Sequence, residues 1–176
     1  MVKRGFNDRG GTPRPMTGLW LMKSEPHVYA YADLVADGRT HWDGVRNYQA
    51  RNMMRDQMKE GDLVLYYHSN TKPPHVAGVA KVVREGYPDH TALDSTSKYF
   101  DPKATADNPR WSMVDLEPVV ECPTAVSLET IKSDPLFEGM PLIRRGQRLS
   151  IQPVEDVHFR RVLMLAGLDA DDVMGA

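Results

Sequence analysis

Residues 42–52 read WDGVRNYQARN, and the parsing of this stretch decides where the rest of the chain must go. An indole, a carboxylate, a turn glycine, two arginines, two asparagines, a tyrosine and a glutamine stand among eleven consecutive positions. Few of these suit an apolar core, so the stretch is read as one wall of a polar pocket. Its second half has helical periodicity. From Tyr48 to Met58, the apolar residues Ala50, Met53, Met54 and Met58 recur as the buried stripe of an amphipathic helix. Asn47 stands where its side-chain oxygen can accept from a free N–H of the first turn. Arg51, Arg55 and Lys59 follow at intervals of four and make a cationic ridge that Asp56 and Glu60 partly offset. That ridge is either a solvated helix face or a surface for a phosphate-bearing ligand.

The chain has 176 residues, enough for one domain that buries about 70 % of its unfolded surface without a disulfide or metal. Its net charge is −2, so attraction to nucleic acid must come from a local patch rather than the global field. A single cysteine, Cys122, excludes an internal disulfide and fits a reducing compartment. No apolar run approaches the length of a membrane span and no charged-then-apolar leader opens the chain. The expectation is an intracellular, cytoplasmic monomer with no membrane partner.

Outward from the central stretch, residues 1–16 are basic, rich in glycine and proline and poor in apolar groups, the composition of a disordered tail. Residues 17–168 carry the folded domain, and 169–176 form an acidic tail. Gly18–Lys23 is a short strand ended by Pro26, which delivers Ser24 and Glu25 to the strand end. Tyr31–Val35 is a helical turn. Leu63–Tyr67 reads as a buried strand, and Val76–Arg84 as a central strand in which Gly78 admits another backbone. Residues 86–110 form a long loop whose Tyr87, Tyr99 and Phe100 favour packing across a pocket. Trp111–Glu121 is a strand bent at Pro118, Ser127 caps a short helix, LSIQ at 149–152 is a brief strand, and a last helix spans about Glu155–Ala166. Strands and short helices alternate without doubly wound spacing, and no Gly-rich phosphate loop opens any of them. The expected fold is α+β: a small, strongly curved sheet closing toward a barrel, with helices at its side.

Seven segments, KSEP at 23–26, WDGVRNYQARN at 42–52, MKEGD at 58–62, YHSN at 67–70, SKYFDPK at 97–103, NPRWSMVD at 108–115 and RLSIQPV at 148–154, resemble in this order the EVE domain family. The resemblance spans nearly everything between residues 18 and 166. It implies a PUA-like fold, a small β-barrel with helices, related to the YTH readers of methylated adenine and the SRA readers of methylated cytosine. It also implies a task, recognition of a modified nucleobase; the expected partner is DNA or RNA carrying such a base, or a free modified nucleoside, and no cofactor or metal is expected. The basic leader is short, so a nuclear location is not carried over.

Base recognition needs stacking for the faces, about 1–3 kcal/mol per base, and fixed donors and acceptors for the edge. The expected ligand-binding residues are Ser24, Trp42, Asp43, Asn47, Tyr48, Tyr67 and Trp111. By analogy with the YTH readers, Trp42 lies against the ligand, whereas Trp20 belongs to the core. Asn47 either reads the edge or only caps its helix, Ser24 either reads the edge or only turns the chain, and Asp43 accepts from an exocyclic amine or pins Gly44. A buried methyl contributes only about 0.8 kcal/mol, so edge contacts must choose the base. Arg46, Arg51, Arg144, Arg145 and Arg148 are the phosphate candidates if a base is extracted from a duplex.

Enzymatic alternatives are an RNA-cleaving pocket of the related ASCH type, built on Lys23, Tyr67 and Arg148, and a hydrolytic triad of Ser24, His68 and Asp43, although Ser24 lies in no nucleophile elbow. The six histidines lack close paired-ligand spacing, and Cys122 reads as packing rather than nucleophile.

Overall fold

Residues 17–175 are described by the computed structural model; the basic segment 1–16 lies outside them. The apolar run before Pro26 forms strand β1 (Leu19–Ser24), which pairs in parallel with β3 (Leu63–His68). β3 is buried at every position because it lies inside the sheet, between β1 and the antiparallel β4 (His75–Pro88). β5 (Ser112–Ser127) follows β4, with β2 (Thr40–His41) on its outer edge; β6 (Ile151–Pro153) closes the other edge against β1. The order β2-β5-β4-β3-β1-β6 makes a mixed, six-stranded sheet that does not close. The α+β class therefore holds, while the two short edge strands remain unpaired with each other.

Side chains alternate across a strand, so each face of this sheet has its own core. On one face Leu21, Leu65, Tyr67 and Val79 pack with α3 (Leu128–Ser133) and α4 (Asp156–Leu165) through Ile131, Phe159, Val162 and Leu163. On the other, Trp20, Met22, Tyr66, Val82 and Val114 pack with Leu34 of α1 (Tyr31–Asp37) and Ala50 of α2 (Tyr48–Asn52). Gly78 admits the ring of Tyr31 rather than another backbone.

The helix expected over 48–58 begins as α2 and continues as one π turn, Met53–Gln57, closed by Met58 N–H donating to the Met53 carbonyl at 2.9 Å. The extra residue per turn changes the phase of the stripe. It leaves Met53, Met54 and Met58 all buried, each contributing about 1.5–3 kcal/mol by burial. β4 and β5 run longer than the sequence pattern indicated, and Pro118 is accommodated inside β5 where the register shifts between Val79 and Ala80. The acidic C-terminal stretch forms a further helix, α5 (Ala170–Met174). The Asp169 carboxylate caps its first N–H groups, and Val173 and Met174 rest on the core.

Candidate functional site

Four segments meet above the Tyr66 face and line an open cavity of about 760 Å³. Lys23, Ser24 and Glu25 come from the end of β1; Thr40 and His41 from β2, which runs into Trp42–Asn47; Lys98 and Tyr99 from the 89–111 connection; and Ser150 from the approach to β6. Ser150 is held there by its carbonyl, which accepts from Lys23 N–H at 2.8 Å.

Trp42 is anchored by its backbone N–H to the Val114 carbonyl, 2.8 Å. Its ring meets Tyr66 edge-on, with centroids 5.5 Å apart and planes at 87°, an arrangement favoured by the ring quadrupoles. Tyr66 is itself fixed, its hydroxyl donating to the Tyr29 carbonyl at 2.9 Å. Burial pushes that phenol well up from its ordinary pKa, and it stays neutral.

Ser24 Oγ donates to the same Tyr29 carbonyl at 2.6 Å. With its proton so placed, the hydroxyl oxygen keeps its lone pairs as acceptors. Asn47 Oδ1 accepts from Ala50 N–H at 3.0 Å, the capping bond expected of it, and Asn47 also lines the cavity. Capping and reading are thus compatible: the cap uses the oxygen and fixes the amide plane, leaving the NH₂ group as a donor. Asp43 lines the wall 3.8 Å from His41 Nε2. The Lys23 ammonium is half-buried, and desolvation lowers its pKa below that of a free lysine.

The turn between Trp42 and Asn47 is set from below by Asp89, which is fully buried. It accepts from Gly44 N–H and Arg46 Nη1, both at 2.9 Å, and from Thr91 Oγ1 at 2.6 Å. Desolvation raises the Asp89 carboxyl, but hydrogen bonds from Thr91, Arg46 and Gly44 outweigh it and hold its pKa below the ordinary carboxylate value. Gly44 has φ +77°, and a Cβ there would meet the Tyr99 ring at 2.6 Å, so the position requires glycine on both counts. Arg46 also donates to the Tyr99 carbonyl at 2.6 Å and the Val45 carbonyl at 3.0 Å. It is a brace of the wall rather than a free phosphate ligand.

The remaining sequence candidates separate. Tyr67 is not in the cavity: it follows Tyr66 by one position, faces the α4 core, and burial pushes its phenol up to about 12. Trp111 and Tyr48 are not among the lining residues; Trp111 lies behind the wall, with the Arg46 guanidinium over its ring at 5.3 Å. They stack on each other at 4.8 Å and 22°, with Trp111 Nε1 donating to Asp101 Oδ2 at 2.7 Å. Arg51 covers Tyr48 at 4.7 Å and donates to the Arg110 carbonyl at 2.7 Å. Arg144, Arg145 and Arg148 are exposed on the segment that leads to Ser150. Trp20 is core, as expected, with Nε1 donating to Asp62 Oδ2 at 2.9 Å. The sequence reading passed over Tyr66, Tyr29, Lys98 and Asp89; for Lys98 the signal was present in the SKYFDPK segment.

The enzymatic constellations are not assembled. Ser24 Oγ is engaged with the Tyr29 carbonyl, while His68 Nε2 accepts from Tyr31 N–H at 3.0 Å. The His68 proton therefore sits on Nδ1, 3.2 Å from His75 Nε2, and His75 keeps its own on Nδ1, 2.7 Å from the Pro73 carbonyl. Lys23 lines the cavity, but Tyr67 faces the opposite core, so that trio does not meet. Cys122 is buried, its thiol raised to about 11 by desolvation first and the Glu121 charge second. Among the described residues, no three His, Cys, Asp or Glu side chains gather as metal ligands would, and no helix is long and apolar enough to cross a membrane.

The family model described as EVE domain matches residues 18–165. Human thymocyte nuclear protein 1 is 43 % identical over 170 residues, covering 85 % of this chain and 74 % of that protein. A hypothetical protein from Leishmania major has a similar structure, with TM-score 0.81, 48 % identity, and coverage of 86 % of this chain and 95 % of that one. The human THYN1 protein, solved in complex with 5-methylcytosine containing DNA, has TM-score 0.79 and 42 % identity, covering 85 % of this chain and 98 % of that one. The word nuclear in the relatives' name describes those proteins, and it lends the cytoplasmic expectation no support.

Proposed function

The chain belongs to the EVE domain family, and from that premise we propose that it is a nucleic-acid reader that takes a modified nucleobase into the cavity beside Trp42. The observation that carries the reading is the composition of this cavity: an indole held edge-on by a buried phenol, with Ser24, Asp43 and Asn47 on the same walls. Its volume, about 760 Å³, lies in the range of roughly 300–1,000 Å³ typical of small-ligand sites. A relative solved with DNA containing 5-methylcytosine supports a cytosine derivative as the first ligand to test.

The chemistry of the walls suits a base with both donors and acceptors on its edge. Asp43 accepts from an exocyclic amine, the Asn47 NH₂ donates to a ring nitrogen or carbonyl, and Ser24 accepts a further N–H. Each contact discriminates strongly because a mismatched base would leave one of these groups desolvated and unpaired. Removing a base from a duplex costs a few kcal/mol, which stacking on Trp42 offsets in part.

The test is a titration of the full chain with short oligonucleotides carrying 5-methylcytosine, N6-methyladenine or no modification, single- and double-stranded. Preference for one modified base is expected, and Trp42→Ala should erase it. Equal affinity for every oligonucleotide would refute the reading.

A further inference from the structure

The five arginines expected to hold phosphates fall into two groups once their partners are known. Arg46 is locked to the buried Asp89, and Arg51 covers the Tyr48 ring while bonding the Arg110 backbone. Elsewhere, exposed arginines sit beside carboxylates, as Arg39 does with Asp115 and Arg160 with Asp156, or over an aromatic ring, as Arg84 does with Tyr87. Among the described residues, Arg144, Arg145 and Arg148 make no ion pair and lie over no aromatic ring. Among the described residues their one side-chain hydrogen bond is a long one, from Arg144 Nη2 to the Gly139 carbonyl at 3.5 Å.

These three charges are presented by an ordered turn. Gln147 N–H donates to the Arg144 carbonyl at 3.1 Å, and Gly146 takes φ +78°, the left-handed third position that such a turn needs. Arg145 is thereby held at its apex. The downstream side is tied down by Gln152 Nε2 to the Leu149 carbonyl at 3.0 Å and by the Ser150 carbonyl to Lys23 N–H at 2.8 Å. Ser150 lines the cavity. It lies two positions after Arg148, so the two Cα atoms are at most about 7 Å apart, a span comparable to the length of an arginine side chain.

We infer that the Arg144–Arg148 turn is the strand-holding surface of this protein, gripping backbone phosphates of the nucleic acid whose base enters the neighbouring cavity. The assignment rests on the reading of that cavity as a base pocket. A chain of net charge −2 has no global field to attract a polyanion, and three exposed guanidinium groups without an ion pair among the described residues, on the segment that leads to Ser150, supply a local one. Phosphate contacts fix position without reading sequence or modification, so the turn contributes affinity while the polar groups of the cavity contribute choice.

The experiment compares the full-length wild type with the triple variant Arg144→Gln, Arg145→Gln, Arg148→Gln, using duplex DNA with and without one 5-methylcytosine, over a series of salt concentrations. If all three arginines meet phosphates, the slope of log K against log salt should become shallower by about 2.7, from about 0.9 per contact. The modified-to-plain preference should stay as in the wild type. Arg160→Gln, on α4, serves as the control for loss of an exposed charge and should leave the slope unchanged. An unchanged slope in the triple variant, with wild-type preference intact, overturns the inference and leaves the base pocket standing. A wild type without preference, whose slope nevertheless falls in the triple variant, overturns the pocket and retains the turn as a phosphate surface. No binding by the wild type of either duplex, or of the same strands single-stranded, overturns the inference.

Discussion

Tyr66 and Tyr67 are neighbours on β3, yet they serve opposite faces of the sheet and have different consequences. Tyr67 points into a closed core against α4, where its surroundings are apolar. Tyr66 points to the α1 and α2 side, where its edge supports Trp42 beside the cavity. The first face is filled and the second is incompletely filled; the incompleteness is bordered by fixed hydrogen bonds to Tyr29, Asp89 and Ala50. One face supplies stability and the other holds open a space of defined chemistry.

Substitution on the closed face should have the largest effect. Tyr67→Ala removes a buried aromatic and should lower stability by about 3–5 kcal/mol, a large part of the roughly 5–15 kcal/mol of an ordinary domain. Protein that still folds at low temperature should keep its preference for the modified base; denaturant unfolding and titration on one sample separate the two. A loss of preference with stability unchanged would reverse the assignment of the faces.

Trp42→Ala should act in the opposite sense. Half-buried and on the cavity wall, Trp42 should contribute about 1–3 kcal/mol to stacking, or about 5- to 150-fold in Kd, with a melting temperature that moves less than that of Tyr67→Ala.

A finer division is available at Asn47. Asn47→Ala should lose the cap, about 1 kcal/mol of stability, together with the edge donor. Asn47→Asp retains an accepting oxygen for Ala50 N–H and replaces the NH₂ donor with a negatively charged, acceptor-only oxygen, so unfolding should stay near wild type while affinity falls. Equal affinity in Asn47→Asp and wild type would reduce this residue to its cap.

The smallest effect expected is pH-dependent. Desolvation, and secondarily the neighbouring His75, lowers the His68 pKa below the ordinary value of about 6.5. Over that interval the unfolded chain binds the proton first, so stability rises with pH. The contribution of neutral His68 is complete above about pH 6.5 and is lost as pH falls through its lower folded value. Urea midpoints at pH 7.5 and 5.5 should show this decline, and His68→Gln should reduce it.

Much of the secondary structure was legible in the sequence because local signals specified it: Asn47 and Ser127 as caps, the methionine spacing after Tyr48, and the proline that ends β1. The seven ordered segments carried the family and the fold class with it. The division between Tyr66 and Tyr67 was not legible. LVLYYH is apolar at nearly every position, and a strand buried on both sides has no polar alternation to distinguish one face from the other. Trp111 and Tyr48 were likewise expected beside Trp42, since an aromatic residue in a polar segment looks the same whether it lines a cavity or stacks on a neighbour. The commitments of the arginines were equally hidden. A guanidinium is recorded in the sequence as a charge, but whether that charge is neutralised by a buried Asp89 or left free on the turn at Arg145 depends on which distant carboxylate the fold brings near.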